Sequence, residues 1–245
     1  MSLLLKLEGL TKRFGGLTAV HDVSLDLAEM EILGLIGPNG AGKTTLFNMI
    51  SGTYLPTNGR ITYEGQDITD LPSHEIAALG IARTFQIAKP FARLSVVDNV
   101  MVGSFLRTKG SGLASDKARQ VVDFVGLESH ADRPAQTLTT AGRKRLELAR
   151  ALATEPKLLL LDEVMAGLTP TESAGIVNLI RQIREAGITI LVIEHVMKAI
   201  MSLSDRVAVI HHGELIAVDP PQDVAKDPRV IEAYLGEEYQ IAENQ

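Results

Sequence analysis

A chain of 245 residues, 45% hydrophobic and 22% charged, has the make-up of an ordinary globular protein with one large domain, or one domain with a lobe. A formal net charge of -6 and 4% aromatic residues offer neither a basic surface for a phosphate backbone nor stacking platforms for bases, which sets nucleic-acid binding aside. The absence of cysteine excludes disulfides and thiolate metal sites and fits a reducing compartment.

The longest apolar runs, residues 158–161 and 188–193, fall far short of the roughly 20 residues that cross a bilayer. Leu3, Leu4 and Leu5 give way at once to Lys6 and Glu8, so neither a signal peptide nor an anchor is expected. Any link to a membrane then runs through a partner.

Residues 4–36 alternate as strands do. Val23, Leu25 and Leu27 point one way and Ser24 and Asp26 the other, which predicts a small antiparallel β region. Residues 32–36 form a short apolar strand that runs into a glycine-rich turn, and residues 43–51 read as the helix beyond it. That turn, Gly37-Pro38-Asn39-Gly40-Ala41-Gly42-Lys43-Thr44, matches the phosphate-loop pattern GxxxxGK[ST] in full. Its glycines let successive N–H groups converge on phosphates, helped by the dipole of the following helix. Lys43 is expected to reach the β- and γ-phosphates of a nucleotide lying along residues 37–45, Thr45 included, and the Thr44 hydroxyl to ligate Mg²⁺.

Residues 87–155 turn helical and more polar, with a flexible break expected at residues 109–115. Residues 158–161 then form a buried strand that delivers Asp162 and Glu163 to its C-terminal end, where open α/β sheets bind ligands. Asp162 suits the Mg²⁺ shell and Glu163 the polarisation of an attacking water. A helix near residues 171–185 leads to a second buried strand at 188–193, a right-handed βαβ unit by default. A late hairpin, residues 207–210 and 215–218 around His212 and Gly213, precedes a helical tail near 229–235. Met197 and Met201 are expected to fill the core. His21, His74, His130, His211 and His212 lack metal-ligand spacing.

With both phosphate motifs in place, the chain resembles the ATP-binding subunits of ABC transporters over essentially its whole length. The resemblance implies an α/β fold: a P-loop NTPase core with a mainly parallel sheet, an N-terminal antiparallel β region and an inserted helical subdomain. Residues 1–86 and 156–245 would form the nucleotide-binding core, and 87–155 the helical subdomain with the signature motif. Phe14, in Thr11-Lys12-Arg13-Phe14-Gly15, matches the aromatic residue that stacks on adenine. Gln86, in Arg83-Thr84-Phe85-Gln86, matches the loop glutamine that senses Mg²⁺ and the lytic water beside the membrane partner. His195, in Ile193-Glu194-His195, matches the switch histidine that touches the γ-phosphate.

The strings Gly80-Ile81-Ala82-Arg83-Thr84-Phe85-Gln86, Asp162-Glu163-Val164-Met165-Ala166-Gly167-Leu168 and Ala233-Tyr234-Leu235-Gly236-Glu237 are similar to the branch that powers branched-chain amino acid import. What this implies is an ATPase peripheral to the cytoplasmic face of the inner membrane. Its partners would be transmembrane permease subunits, a second ATPase subunit and, indirectly, a solute-binding protein. A lipid or polysaccharide exporter, or a nucleotide-binding regulator with weak hydrolysis, are the rival readings.

Two places depart from the family. Its LSGGQ signature, which contacts ATP on the opposite subunit, is Leu138-Thr139-Thr140-Ala141-Gly142 here, leaving Thr139 and Gly142 as the nucleotide-contacting candidates. Positive φ at Thr140 or Ala141, where the family has glycine, would cost roughly 1 kcal/mol or more each. The Asp usual after Glu163 is Thr169. Both changes act across a dimer and lead to the expectation of either a homodimer or a heterodimer with a related ATPase.

Overall fold

The computed structural model describes residues 2–84 and 89–234. It comprises two compact units, one drawn from residues up to Ile76 and from Thr189 onward, the other running from Ala77 to Ile188.

In the first unit, β1 (Leu3–Phe14) and β2 (Leu17–Ala28) form an antiparallel hairpin closed by the pair Phe14 and Leu17. Val23, Leu25 and Leu27 are buried while Ser24 and Asp26 are exposed, so alternation sets the inward face as expected. The sheet extends further than the alternation foretold. β4 (Asn58–Tyr63) pairs with β1 and the two-residue β5 (Gln66–Asp67) with β4, giving a four-stranded antiparallel sheet. β4 buries only Ile61 and Tyr63, too few positions to register as a pattern.

β3 (Ile32–Ile36) is buried at every position and belongs to a different sheet. It lies between β8 (Thr189–Ile193) and β9 (Arg206–His211), parallel to both, and β10 (Glu214–Asp219) returns antiparallel along β9. A strand covered on both faces carries no polar alternation, hence the Ile and Leu of β3, interrupted only by Gly34, and the Ile, Leu and Val that follow Thr189 in β8. Each such side chain, fully buried, contributes about 1.5–3 kcal/mol. The start of β3 is pinned by polar contacts. The Ile32 N–H donates to Asp205 Oδ2 at 2.9 Å, and buried Glu31 accepts from Arg206 Nε at 2.7 Å. That hydrogen bond raises the Arg206 pKa above its ordinary value. A strand fixed at its entry presents its exit, the phosphate loop, in one place, and α1 (Lys43–Ile50) continues from it.

The chain passes from one unit to the other within α2 (Ser73–Leu79). In the second unit β6 (Ile81–Arg83) pairs in parallel with β7 (Leu158–Asp162). Between them in sequence come α3 (Val96–Ser104), α4 (Ser111–Phe124) and α5 (Thr140–Leu152), and α6 (Pro170–Glu185) follows β7. The break expected at residues 109–115 is shorter than foreseen. Gly110, at φ 108, ends the loop, and α4 starts at Ser111 because Ala114, Ala118 and Val122 form a buried stripe at i, i+4 spacing.

A second correction concerns α7 (Met197–Leu203) in the first unit. Ala199, Ile200 and Leu203 carry its buried face, while Met197, expected in the core, is 36% exposed. α8 (Pro221–Val224) and a helical stretch at residues 228–234 end the described chain. Among the described residues no helix is long and apolar enough to cross a membrane, and no cluster of His, Asp and Glu suits a metal ion by itself.

Candidate functional site

The loop between β3 and α1 requires glycine for reasons of space. A Cβ on Gly37 would stand 2.0 Å from the Ile210 carbonyl oxygen, and one on Gly42 would stand 2.4 Å from that of Ala19. Gly37 and Gly42 also have φ of 152 and 107, which other residues rarely adopt. The Lys43 side chain folds back into the loop, where its ammonium donates to the Gly37 carbonyl at 2.6 Å and to that of Pro38 at 2.8 Å. A buried positive charge thus sits inside a turn of main-chain amides at a helix N-terminus. Helix dipole and ammonium both favour an anion. Gly37, Pro38 and Ala41 are buried, whereas Asn39, Gly40 and Thr44 are exposed and Thr45 half-buried. The Thr44 hydroxyl accordingly stands open on the first turn of α1.

Phe14, at the hairpin tip, is 43% exposed. It meets Tyr54 edge-on at 5.3 Å between ring centroids, and the Lys12 ammonium lies 5.1 Å from the Phe14 centroid while donating to the Leu55 carbonyl at 2.7 Å. Such packing fixes one ring and leaves apolar surface for a flat partner. His195 is exposed just beyond β8, next to buried Glu194.

In the second unit β7 ends at Asp162, which is 2% exposed. Asp162 Oδ2 accepts from Arg83 Nη2 at 2.8 Å, and its N–H donates to Thr84 Oγ1 at 3.0 Å. Glu163 takes φ 50, a left-handed conformation that costs a non-glycine residue of order 1–3 kcal/mol and is held only where neighbours impose it. Its carbonyl accepts from the Lys144 ammonium at 3.0 Å and from the Ala166 N–H at 3.2 Å. Asp162 and Thr44 are oxygen donors of the kind a hard divalent cation takes. Gln86 lies outside the described residues.

Thr139 is the N-cap of α5, its Oγ1 accepting from the Gly142 N–H at 3.2 Å. The Gly142 amide is therefore occupied within the helix cap, and the exposed Thr139 hydroxyl is the outward group. Thr140 and Ala141 sit in the first turn of α5 without positive φ, so the strain foreseen for the lost glycines does not arise here. Thr169 caps α6 in a full capping box. Its hydroxyl accepts from the Glu172 N–H, the Glu172 carboxylate accepts from the Thr169 N–H, and Pro170 follows at the first helical position.

Three residues that hold these groups were not singled out in the sequence: Tyr54, Arg83 and Lys144. Arg83 carried a usable signal, a charge following the apolar pair Ile81-Ala82, whereas Lys144 is hidden in the basic run Arg143-Lys144-Arg145. Tyr54 had none.

Residues 20–166 match the ABC transporter family model, and residues 214–240 match that of the branched-chain amino acid ATP-binding cassette transporter. The chain is 43% identical to the high-affinity branched-chain amino acid transport ATP-binding protein LivG of Salmonella typhimurium, covering 96% of this chain and 98% of that one. It is 36% identical to the lipopolysaccharide export system ATP-binding protein LptB of Acidithiobacillus ferridurans, covering 98% and 100%. Among solved structures, the ADP conformation of MJ1267, an ATP-binding cassette of an ABC transporter, superposes with a TM-score of 0.88 at 31% identity, covering 96% of this chain and all of that one. With a phosphate loop shaped by obligate glycines and these matches along its length, the chain belongs to the ABC transporter family of ATP-binding cassettes and is an ATPase of that family.

Proposed function

We propose that this ATPase powers import of branched-chain or related amino acids, docked on transmembrane permease subunits at the cytoplasmic face and paired with a second ATPase subunit. The observation that supports the nucleotide chemistry is the Lys43 ammonium lodged between the Gly37 and Pro38 carbonyls, a positive charge held within the glycine loop. The import assignment is supported by the 43% identity to LivG and the match at residues 214–240, against 36% identity to LptB.

In this reading Gly37 to Thr45 cradle the phosphates and Phe14 stacks on the base. Glu163 polarises the lytic water, His195 and Gln86 attend the γ-phosphate, and the helical subdomain, residues 87–155, presents Thr139 to nucleotide on the partner ATPase. Thr44 and Asp162 would hold Mg²⁺, which neutralises charge on the β- and γ-oxygens when bound. The unstrained Thr140 and Ala141 and the complete cap at Thr169 support a chain able to act as a homodimer as well as beside a related ATPase.

The test is binding of a fluorescent ATP analogue by the purified chain, followed by co-purification with the permease pair and binding protein in liposomes. Lys43→Ala is expected to weaken ATP binding roughly 10- to 150-fold, the worth of one charge-assisted hydrogen bond of about 1.5–3 kcal/mol. Leucine, isoleucine or valine is expected to raise turnover in the liposomes. Turnover raised instead by a lipid substrate would overturn the import reading.

A further inference from the structure

The acid assigned to the metal is gripped by a residue outside the phosphate motifs. Arg83 Nη2 lies 2.8 Å from Asp162 Oδ2, with side chains only 9% and 3% exposed. The next residue, Thr84, is fully buried; its hydroxyl accepts the Asp162 N–H at 3.0 Å, and its own N–H donates to the Leu160 carbonyl at 2.9 Å. Arg83 and Thr84 thus hold both the carboxylate and the main chain of Asp162 at the end of β6, paired in parallel with β7.

A carboxylate that serves a hard cation must keep one orientation with an oxygen turned to the metal. Buried as Asp162 is, it also needs a counter-charge while the metal is away. The guanidinium supplies both, its directional N–H fixing Oδ2 so that Oδ1 stays available. Partners that orient ligating carboxylates this way typically govern metal affinity by 10- to 100-fold.

We infer that Arg83 is a positioning residue for Mg²⁺, holding Asp162 in its ligating orientation. The inference rests on the ATPase reading above, and its test separates the two. A fluorescent ATP analogue is bound to the purified chain first in EDTA and then during a Mg²⁺ titration, reading the Mg²⁺ concentration that gives half of the metal-dependent change. Arg83→Met is expected to leave binding in EDTA intact and to raise that midpoint about 10- to 100-fold. Arg83→Lys, which keeps the charge without the planar fork, is expected to give a smaller rise and carries the test should the Met variant fail to fold.

In an Asp162→Asn background the Arg83 substitution is expected to shift the midpoint no further, since its effect passes through that carboxylate. An unchanged or lowered midpoint in both Arg83 variants would overturn the inference, as would an equal shift in the Asp162→Asn background. A wild-type chain that binds no analogue in EDTA or in Mg²⁺ would instead refute the ATPase reading.

Discussion

Replacing Thr169 with alanine isolates what the residue at the family's Asp position does within the chain itself. The Thr169 hydroxyl accepts from the Glu172 N–H at 3.3 Å and donates to Glu172 Oε2 at 2.8 Å, while the Thr169 N–H donates to that same oxygen at 2.8 Å. Alanine removes the first two contacts and keeps the third, so the loss is that of an N-cap, about 1 kcal/mol. In a chain of this size that lowers Tm by about 2–4 °C.

The pH dependence has a definite sign. The Thr169 backbone N–H, and after it the hydroxyl, hold the Glu172 carboxyl below its ordinary pKa. A depressed carboxyl contributes stability above its unfolded pKa and loses it as pH falls through the folded value. The gap between wild type and Thr169→Ala is therefore largest near neutrality and narrows in acid, once Glu172 is protonated in both. Thermal scans of the nucleotide-free proteins from neutral to acidic pH read this directly. A Tm unchanged at neutral pH, or a gap that widens on acidification, would refute the capping argument.

Two further substitutions test the walls of the site. Gly37→Ala puts a methyl 2.0 Å from the Ile210 carbonyl oxygen, where no rotamer relieves the clash, so loss of nucleotide binding together with a fall in stability of more than about 2 kcal/mol is expected in denaturant titrations. Lys144→Met removes the ammonium that donates to the Glu163 carbonyl at 3.0 Å, one of the contacts holding Glu163 at φ 50. Turnover is expected to fall roughly 10- to 150-fold, matching a charge-assisted bond of about 1.5–3 kcal/mol, with nucleotide affinity measured by fluorescence nearly unchanged.

Elements that obey a rule of chemistry were legible in the sequence. A phosphate loop needs glycine at fixed places and a lysine after them, and the structure shows why at Gly37 and Gly42, where main-chain oxygens occupy the space of a side chain. Residues 158–161, four leucines before two acids, read as a strand buried on both faces, and β7 is one. Short elements left no such trace. Three residues of β6 and two of β5 are too few to show a period, and they are strands because a longer neighbour supplies their hydrogen bonds.

Contacts between distant positions were hidden for a related reason. Arg83 and Asp162 are 79 residues apart in the chain, and nothing about either residue alone announces the other. The substitutions at Thr140 and Ala141 looked costly because the sequence carries no φ; in a helical first turn threonine and alanine are unstrained. Conversely, the left-handed backbone at Glu163 has no signature, since glutamate gives no hint of positive φ.

In the proposed mechanism Glu163 activates the water that cleaves ATP held by the phosphate loop. The most direct test of that role is Glu163→Gln, which keeps size and hydrogen-bonding capacity but removes the basic carboxylate. After incubation with Mg²⁺ and radiolabelled ATP, alone and with a sister ATPase, the variant is expected to retain uncleaved ATP in a stable dimer on a sizing column, while the wild type releases ADP and phosphate. Phosphate release by Glu163→Gln at the wild-type rate would remove Glu163 from that role.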